Sequence, residues 1–306
     1  MDLSWDLLRP VMRVPYVPTL GPIHPDALGP DLLADVLAVA GTGRFLPYDK
    51  DHRWSGVKDE RIMPQDVEHG PDRTVIPTIS PWGRGMVKVH YFGTDPAPVA
   101  ELLQFARKLA AREDVDRARA IWFRPDRPDQ PEQVDRPDQA DRPERQSGVA
   151  VTRVQLKTFR PGENEPVDGV EDLRHLPEQV RARFAVFAEQ MAADGFAFLW
   201  RRFQADAQTG PVLTIVSGGR IVGAIGPMET MKDPAGRVRL LPQYFGVLPE
   251  QRGHGHGRRL WRAAMHWGQS SGADYQLLLT RLGGASDALC QAEGLDTLGF
   301  VHTASA

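Results

Sequence analysis

Six consecutive residues combine three glycines with basic side chains at a spacing that suits a phosphate group. Residues 252–257 read R-G-H-G-H-G, after an apolar stretch at 238–247 and before an amphipathic one at 258–269. Glycine lets the backbone bend tightly and lie bare against a ligand. A helix that begins directly after such a turn points unpaired N–H groups outward, beside the positive end of its dipole, where phosphate is favoured. We therefore expect these residues, the glycine loop, to hold a diphosphate with main-chain amides.

Two common phosphate-binding loops do not fit this sequence. The dinucleotide fingerprint has the spacing G-x-G-x-x-G with an acidic residue about 20 positions later, whereas the glycines here alternate as G-x-G-x-G. The nucleoside-triphosphate loop ends in Gly-Lys-Ser/Thr, whereas Gly257 is followed by Arg258 and Arg259. Neither of these two sites is predicted here.

The loop and the strand before it resemble the acyl-CoA site of the GCN5-related N-acetyltransferase (GNAT) superfamily. In that family Gln/Arg-x-x-Gly-x-Gly/Ala follows a strand that ends in Val-x-Pro. Arg252, Gly255 and Gly257 match the loop, and Val247 and Pro249 match the end of the strand. The resemblance covers about half the chain. It implies acetyl-CoA or another acyl-CoA as co-substrate, with its pyrophosphate on the loop and its pantetheine arm along the strand, and no metal.

The resemblance also implies which residues bind coenzyme A. One main-chain N–H of the strand edge also receives the thioester oxygen as it becomes an oxyanion. Gly246 suits a β-bulge where a ligand approaches closely, with plain strand irregularity as the alternative. The side chain of Arg252 has a second role open to it, as a brace for the loop. The predicted binding residues are Phe245, Gly246, Val247, Arg252, Gly253, His254, Gly255, His256, Gly257 and Arg258.

Acyl transfer to an amine requires a base, because an alkyl amine with a pKa of about 10 is mostly protonated at neutral pH. Glu229, just after the second hairpin strand, and Tyr244, on the strand before the loop, could face the acceptor. A solvated Glu229 and a packed Tyr244 are the alternatives.

The acid that protonates the leaving thiolate is harder to place. Many members of the family use a tyrosine in the last helix, which this sequence lacks. Counting forward from the preceding strand puts Cys290 or Gln291 near its place, and counting back from Gly299 puts Leu295 there. Cys290, Ser286, water and an unassisted thiolate remain as options.

The elements that must position these residues follow from the hydrophobic pattern of residues 149–306. The pattern predicts an α/β domain with a mixed sheet and the order β, α, α, β, β, β, α, β, α, β, which is the order that the resemblance implies. Gly218-Gly219 suits a tight two-residue hairpin turn. The predicted elements span 150–159, 176–193, 195–205, 212–216, 220–225, 238–247, 258–269, 275–280, 286–293 and 298–301.

Residues 1–124 are predicted to form a separate, smaller α/β domain. A strand at 86–92, a helix at 96–112 and a strand at 118–123 make a βαβ unit without a phosphate loop. A short helix is expected at 31–39, whereas 45–80 shows no clear period. The domain has an unknown role or is a degenerate GNAT-like copy; a lid over the acceptor pocket, a homodimer surface and a docking site for a carrier protein all stay open.

Residues 125–148 are predicted to be a linker between the two domains. The segment repeats Arg-Pro-Asp/Glu and has almost no apolar residues. Such a chain cannot bury enough surface to offset its ordering entropy, and its prolines keep it extended. An exposed charged loop within one domain is the alternative.

Composition excludes several classes of protein. The 306 residues carry a net charge of −3, which gives no support to a nucleic-acid partner, and no apolar run approaches the ~20 residues of a membrane span. A single cysteine excludes an internal disulfide and, with acidic residues where a signal peptide needs basic ones, favours the cytoplasm. Four residues in the segment 45–80 are of types that can bind a metal, but their interpretation as solvated loop residues is favoured because no ligand pair has a fixed helical spacing. They are His52, Asp66, Glu68 and His69.

The leading hypothesis is an acyl-CoA-dependent N-acyltransferase that acts on a small-molecule amine by direct transfer in a ternary complex. A protein N-terminus or lysine as acceptor, and a non-catalytic acyl-CoA sensor or interaction module, are the alternatives. Four aromatic residues lie in the region that shapes the acceptor pocket in the family, with a role in the core as the alternative. They are Phe196, Phe198, Trp200 and Phe203.

Overall fold

A computed structural model describes residues 14–54, 56–69, 72–81, 84–93, 95–126, 148–205 and 210–305. The chain divides into two compact units, the first unit (Met1–Leu156 with Leu277–Ala306) and the second unit (Lys157–Gln276). Residues 127–147 of the predicted linker lie outside the described residues. The predicted domain boundaries at 124 and 148 therefore stay a prediction.

The helices and strands follow one another as an α/β pattern in both halves of the chain. Up to the linker they are β1 Tyr16–Val17, β2 Gly21–Pro22, α1 Pro30–Ala38, β3 Arg61–Ile62, β4 Glu68–His69, β5 Arg73–Ser80, β6 Met86–Gly93, α2 Val99–Arg112 and β7 Ala118–Arg124. After it they are β8 Val149–Thr158, β9 Glu171–Asp172, α3 Glu178–Arg181, α4 Phe184–Gln190, α5 Phe196–Gln204, β10 Leu213–Ser217, β11 Arg220–Gly226, β12 Thr230–Lys232, β13 Val238–Leu240, β14 Tyr244–Val247, α6 His256–Ser270, β15 Tyr275–Arg281, α7 Ala285–Ala292 and β16 Asp296–Ser305.

The first unit is built on a sheet with the order β8-β16-β7-β6-β5-β3, with β4 paired to β5. Strands β6 and β7 run parallel and α2 connects them, as the βαβ prediction requires. The helix packs its apolar face, which includes Leu102, Ala106 and Leu109, against the sheet. The α/β prediction for the N-terminal half is therefore confirmed.

Strand β5 was not predicted, because the segment 45–80 shows no alternation. Pro77 stands in its middle, opposite Val89 of β6, and cannot donate a hydrogen bond. Its carbonyl oxygen still accepts a bond of 2.9 Å from the N–H of Met63. Five of the eight residues of β5 are buried, so tertiary pairing sustains a strand that the local sequence does not indicate.

The first unit also buries an ion pair in a network of polar side chains. Arg153 of β8 donates from Nε to Asp287 Oδ1 at 2.8 Å and from Nη2 to Oδ2 at 3.2 Å. The same carboxylate accepts from Thr280 Oγ1 at 3.0 Å and from the N–H of Gly283 at 3.0 Å. Burial acts to raise the pKa of Asp287, but the hydrogen bonds and the charge of Arg153 outweigh it and lower that pKa. No sequence pattern indicated this network.

The second unit contains a four-stranded sheet with the order β14-β11-β10-β9. Strand β13 of the same unit lies between β12 and the start of β15. The predicted Gly-Gly turn is confirmed, since Gly218 and Gly219 have φ values of 57° and 70° and join β10 to β11. The predicted helix at 176–193 is interrupted, because α3 ends at Arg181 and α4 begins at Phe184.

Candidate functional site

The glycine loop follows β14 and leads into a helix, as predicted, but α6 begins at His256 within the loop rather than at residue 258. Gly253 has a φ of 81° and Gly255 a φ of 78°, a left-handed conformation that side chains rarely adopt. A Cβ on either residue would meet nothing within 4 Å. Glycine is therefore required at these two positions by backbone conformation, and the space beside them is open.

The first turn of α6 presents main-chain amides at this open space. The first helical hydrogen bond runs from the N–H of Arg259 to the carbonyl of Gly255, at 3.1 Å. Gly255 is the N-cap residue and no side chain caps the helix. The amides ahead of that bond therefore have no intrahelical partner and lie at the positive end of the dipole. This arrangement can bind a phosphate group.

Gly257 has a different role from the two loop glycines. A Cβ on Gly257 would stand 3.4 Å from Phe245 Cζ, and one on Gly223 of β11 would stand 2.9 Å from Leu260 Cδ1. Gly223 therefore lets α6 approach β11 closely, whereas a Cβ at Gly257 would make an ordinary van der Waals contact with Phe245.

The side chains around the loop are basic. Arg252 donates from Nε to the carbonyl oxygen of Val247 at 3.2 Å, and Arg259 donates from Nη2 to the carbonyl of Asp168 at 2.5 Å. The rings of His254 and His256 stack with their centroids 6.1 Å apart. Burial, together with Arg259 and His254, lowers the pKa of His256, and its Nδ1 is buried without a partner among the described residues. A dianion would find positive charge here and no carboxylate within residues 252–259.

One edge of β14 is available to an extended ligand. Strand β14 is the last strand of its sheet and pairs only with β11 within the described chain. The N–H of Leu248 donates to Val222, so in an antiparallel ladder Gly246 also bonds towards β11. The main-chain groups of Phe245 and Val247 then point to the free edge. An extended chain of amides can pair with such an edge.

Gly246 does not form the predicted bulge. The ladder between β11 and β14 keeps one register from Val247 to Tyr244. A Cβ on Gly246 would stand 2.6 Å from Met191 Cε and 3.1 Å from Phe196 Cε2. Gly246 has no room for a side chain, because Met191 and Phe196 pack directly on β14.

The predicted continuous strand at 238–247 is broken at residues 241–243, and this strand break is the second feature of the site. Before it, β13 pairs with β12 and runs parallel to β15; after it, β14 pairs with β11. Pro242 has no N–H to offer a ladder. The N–H of Leu241 instead donates to the carbonyl of Glu229, at 2.9 Å. The pairing with β15 thus ends at the break, and β14 pairs with β11 instead.

The predicted bases both lie next to this break. Glu229 is half-buried, its main chain is bonded to Leu241, and its Oε1 accepts from the N–H of Gly210 at 3.3 Å. Tyr244, the first residue after the break, is half-buried, and its ring lies 6.2 Å from that of Phe198. The structure therefore brings both residues to one end of β14, with the glycine loop at the other.

The aromatic residues of the acceptor region divide between core and surface. Phe196 is fully buried and Phe198 is half-buried beside Tyr244. Trp200 stacks on Phe203 at 5.7 Å and packs on the same core. Only Phe198 of the four combines partial exposure with contact to a predicted site residue.

Cys290 lies in the first unit, on α7, and is 2% exposed. Gly294, with a φ of 74°, follows the end of the helix, so Leu295 lies outside it and Cys290 within it. Burial, with the charges of Asp287 and Glu293, raises the pKa of Cys290 to about 11. The thiol therefore stays protonated at neutral pH.

Sequence reasoning missed two glutamines at the strand break. Gln276 is fully buried in β15 and donates from Nε2 to Gln243 Oε1 at 2.8 Å. A polar residue within the apolar stretch Y-Q-L-L-L was the one signal that could have pointed to it.

Among the described residues, no group of three or more His, Cys, Asp and Glu is placed to hold a metal ion. Asp66, one of the residues weighed as ligands, instead accepts two bonds of 2.7 and 2.6 Å from Arg112. No helix in the described part of the chain is long and apolar enough to cross a membrane.

Comparisons with known proteins identify one family in the second half of the chain. Residues 176–285 match the family model of the acetyltransferase (GNAT) family, whose reaction is acyl transfer from acyl-CoA, with acetyl-CoA as co-substrate. A comparison with the curated proteins finds no match.

Solved structures similar to this chain include two bacterial proteins and one from a biosynthetic pathway. A GCN5-related N-acetyltransferase from Sphaerobacter thermophilus has 12% identity and a TM-score of 0.44, over 88% of this chain and 93% of that one. A putative acetyltransferase from the GNAT family of Novosphingobium aromaticivorans has 18% identity and a TM-score of 0.39, over 79% and 92%. A tandem GNAT protein from the clavulanic acid biosynthesis pathway has 14% identity and a TM-score of 0.41, over 76% and 79%.

Proposed function

We propose that the protein transfers an acetyl or other short acyl group from acyl-CoA to a primary amine of a small molecule, because residues 176–285 match the GNAT acetyltransferase family model. The observation that carries this proposal is the glycine loop. Two left-handed glycines and an uncapped helix start leave main-chain amides facing open space among basic side chains. We place the reaction in the cytoplasm, as the single cysteine favours.

The loop and the strand would divide coenzyme A between them. Amides of residues 253–257 take the pyrophosphate oxygens, and Arg252 and Arg258 add positive charge. The pantetheine amides pair with the free edge of β14 at Phe245 and at the N–H of Val247, whose carbonyl already accepts from Arg252. The thioester then lies towards the strand break, because the loop stands at the opposite end of β14.

Once the two reactants are bound side by side, the reaction needs few catalytic side chains. The lone pair of a neutral amine attacks the thioester carbonyl carbon, a C–N bond forms and the C–S bond breaks. One proton leaves the amine nitrogen and one proton finishes on the thiolate sulfur, so that an amide and free coenzyme A result. Binding both reactants side by side supplies much of the rate enhancement.

Two side chains are proposed for the proton transfers and a third for the acceptor side. Glu229 is proposed as the base that takes the proton of the amine, because its main chain is bonded to Leu241 at the strand break and the residue is half-buried. Tyr244 lines the acceptor side with Phe198. Cys290 keeps its proton at neutral pH and is the proposed acid, with water as its substitute.

One observation favours a second function, a non-catalytic acyl-CoA sensor. The last helix has no tyrosine, and the thiol that stands in it is almost fully buried. Such a module would bind acyl-CoA and release no thiol.

A thiol-release assay with acetyl-CoA separates the two functions. The acceptor panel consists of tyramine, spermidine, an aminoglycoside and a lysine-containing peptide, the last of which tests a protein acceptor. Amine-dependent release of free thiol supports the transferase. Calorimetric binding of coenzyme A without any release supports the sensor, and neither binding nor release contradicts both.

A further inference from the structure

Gln276 occupies the point at which two neighbouring strands part. It is the last residue of β15 paired with β13, opposite Leu240, and the strand break follows Leu240 directly. The side chain is 0% exposed, between the buried Tyr275 and Leu277. A fully buried amide in an apolar strand needs partners for both its N–H groups and its oxygen.

The orientation of this amide is fixed by a short chain of hydrogen bonds. Gln243 donates from Nε2 to the main-chain carbonyl of Leu241. A carbonyl oxygen can only accept, so the nitrogen of Gln243 must face it and Oε1 must face Gln276. That Oε1 accepts from Gln276 Nε2 at 2.8 Å. The side-chain atom of Gln276 that is left without a hydrogen-bond partner is therefore Oε1.

Gln276 Oε1 makes no hydrogen bond with any described residue. A buried acceptor without a partner is costly, and native proteins seldom keep one. The missing partner must be a donor, an N–H or an O–H. Gln276 is bonded to Gln243 of the strand break, and the carbonyl of Glu229 is bonded to Leu241 of the same break. Gln276 therefore lies beside the region where we place the thioester and the base.

The chemistry of the two substrates decides between the possible donors. The thioester group carries no N–H and no O–H. The pantetheine amides can be met by the edge of β14, which offers main-chain donors and acceptors together. The amine is then the reactant that brings an N–H to this end of the strand. A hydrogen bond made through N–H leaves the nitrogen lone pair free for attack.

We propose that Gln276 Oε1 accepts a hydrogen bond from the N–H of the amine acceptor in the ternary complex. Gln276 is thus an acceptor-binding residue, and Gln243 is a positioning residue that keeps the oxygen turned towards the amine. This inference rests on the proposed function.

The test compares Gln276→Met, Gln276→Glu and the wild-type chain. Methionine keeps the volume and removes the acceptor. We expect the KM of the amine to rise about tenfold to a hundredfold, the coenzyme A Kd measured by calorimetry to stay within about twofold, and the melting temperature of the free protein to be unchanged or higher. Gln243→Met should raise the KM of the amine in the same way without changing the coenzyme A Kd.

Gln276→Glu should restore the KM of the amine, which would not be expected if Gln276 had only a structural role. A carboxyl group with no exposure is protonated at neutral pH, so that its O–H can donate to Gln243 and its C=O can accept from the amine. We expect the ratio of the variant KM to the wild-type KM to be near one at neutral pH and to rise at higher pH as the carboxyl ionises. The variant also keeps the test valid should the methionine variant fail to fold.

The outcomes that overturn the inference are distinct from one another. A wild-type amine KM in Gln276→Met would mean that the oxygen binds only water. A coenzyme A Kd weakened as much as the amine KM would assign the oxygen to the pantetheine arm. If the wild-type protein binds coenzyme A but transfers to no amine, this inference is overturned and the proposed coenzyme A site is retained. If the wild-type protein does not bind coenzyme A, the proposed function is overturned as well.

Discussion

Arg252 donates a hydrogen bond from Nε to the main-chain carbonyl oxygen of Val247, 3.2 Å away. The bond joins the start of the glycine loop to the last residue of β14. It also occupies a carbonyl that would otherwise face the free edge of the strand. Arg252 therefore braces the loop, and only its terminal nitrogens remain to meet a phosphate.

Replacing Arg252 should weaken coenzyme A binding without abolishing it. Arg252→Ala loses the brace and one positive charge, and we expect the Kd to rise on the order of tenfold, as for the loss of one hydrogen bond from a charged donor. Calorimetry with coenzyme A measures this. Arg201→Ala, at an exposed arginine of α5, is the control for the change in net charge and should leave the Kd unchanged. Equal effects of both variants would show that the loop needs no brace.

Coenzyme A affinity should increase as the pH falls. Burial, Arg259 and His254 lower the pKa of His256 in the free protein, and a bound diphosphate favours its charged form and raises that pKa, so binding takes up a proton. The Kd should fall between pH 8 and pH 5.5. His256→Gln should reduce this pH dependence, whereas His266→Gln, farther along α6 and bonded to the carbonyl of Asn164, should retain it. The same slope in both variants would exclude His256 as its source.

Removing the proposed base should slow transfer and leave binding intact. Glu229→Gln keeps the size of the side chain and its bond to Gly210 while removing the negative charge. We expect kcat/KM for the amine to fall about 10²- to 10⁴-fold, with little change in the coenzyme A Kd. Glu189→Gln, at an exposed position of α4, is the matched control. Full activity in the Glu229 variant would assign proton removal to water.

Two arginine–aspartate pairs of the first unit should differ strongly in their contribution to stability. Asp287→Asn breaks the buried pair with Arg153 and should lower the free energy of unfolding by about 3–5 kcal/mol, whereas Asp66→Asn breaks the more exposed pair with Arg112 and should cost about 1 kcal/mol or less. Urea unfolding measures both.

The pH dependence of the buried pair has a defined sign. The folded-state pKa of Asp287 is lowered, so its contribution is complete above the unfolded value of about 3.9 and is lost as the pH falls through the folded value. The Asp287 variant should therefore lose less stability on acidification than the wild type. Parallel curves for the two proteins would contradict this.

The parts of the fold that were predicted correctly are those that local sequence determines. The start of α6 and the turn at Gly218 and Gly219 depend on glycines at fixed positions, and the GNAT resemblance of the C-terminal half is confirmed by the match at 176–285. Strand β5 and the strand break were missed because distant partners decide them. Pro77 lies within a strand that its neighbours sustain, and residues 241–243 separate the ladder with β15 from the ladder with β11.

At the candidate site, too, the sequence does not indicate features that depend on distant partners. The sequence indicates the glycines of the loop, but it does not separate Gly255, whose left-handed φ requires glycine, from Gly257, where a Cβ would only make an ordinary contact with Phe245. It does not indicate the unpaired oxygen of Gln276 either, because that depends on which way Gln243 is held by Leu241. The assigned roles of Glu229, Tyr244 and Cys290 stay predictions.

The most direct measurement is the calorimetric titration of coenzyme A into wild type, Gly255→Glu and Gly272→Glu. Both glycines have nearly the same left-handed φ, 78° and 79°, and a Cβ on either meets nothing within 4 Å, so the two variants carry equal backbone strain and equal charge. Only the first places a carboxylate against the diphosphate. We predict that wild type and Gly272→Glu bind coenzyme A alike and that Gly255→Glu does not bind it; unchanged affinity in Gly255→Glu would contradict the account.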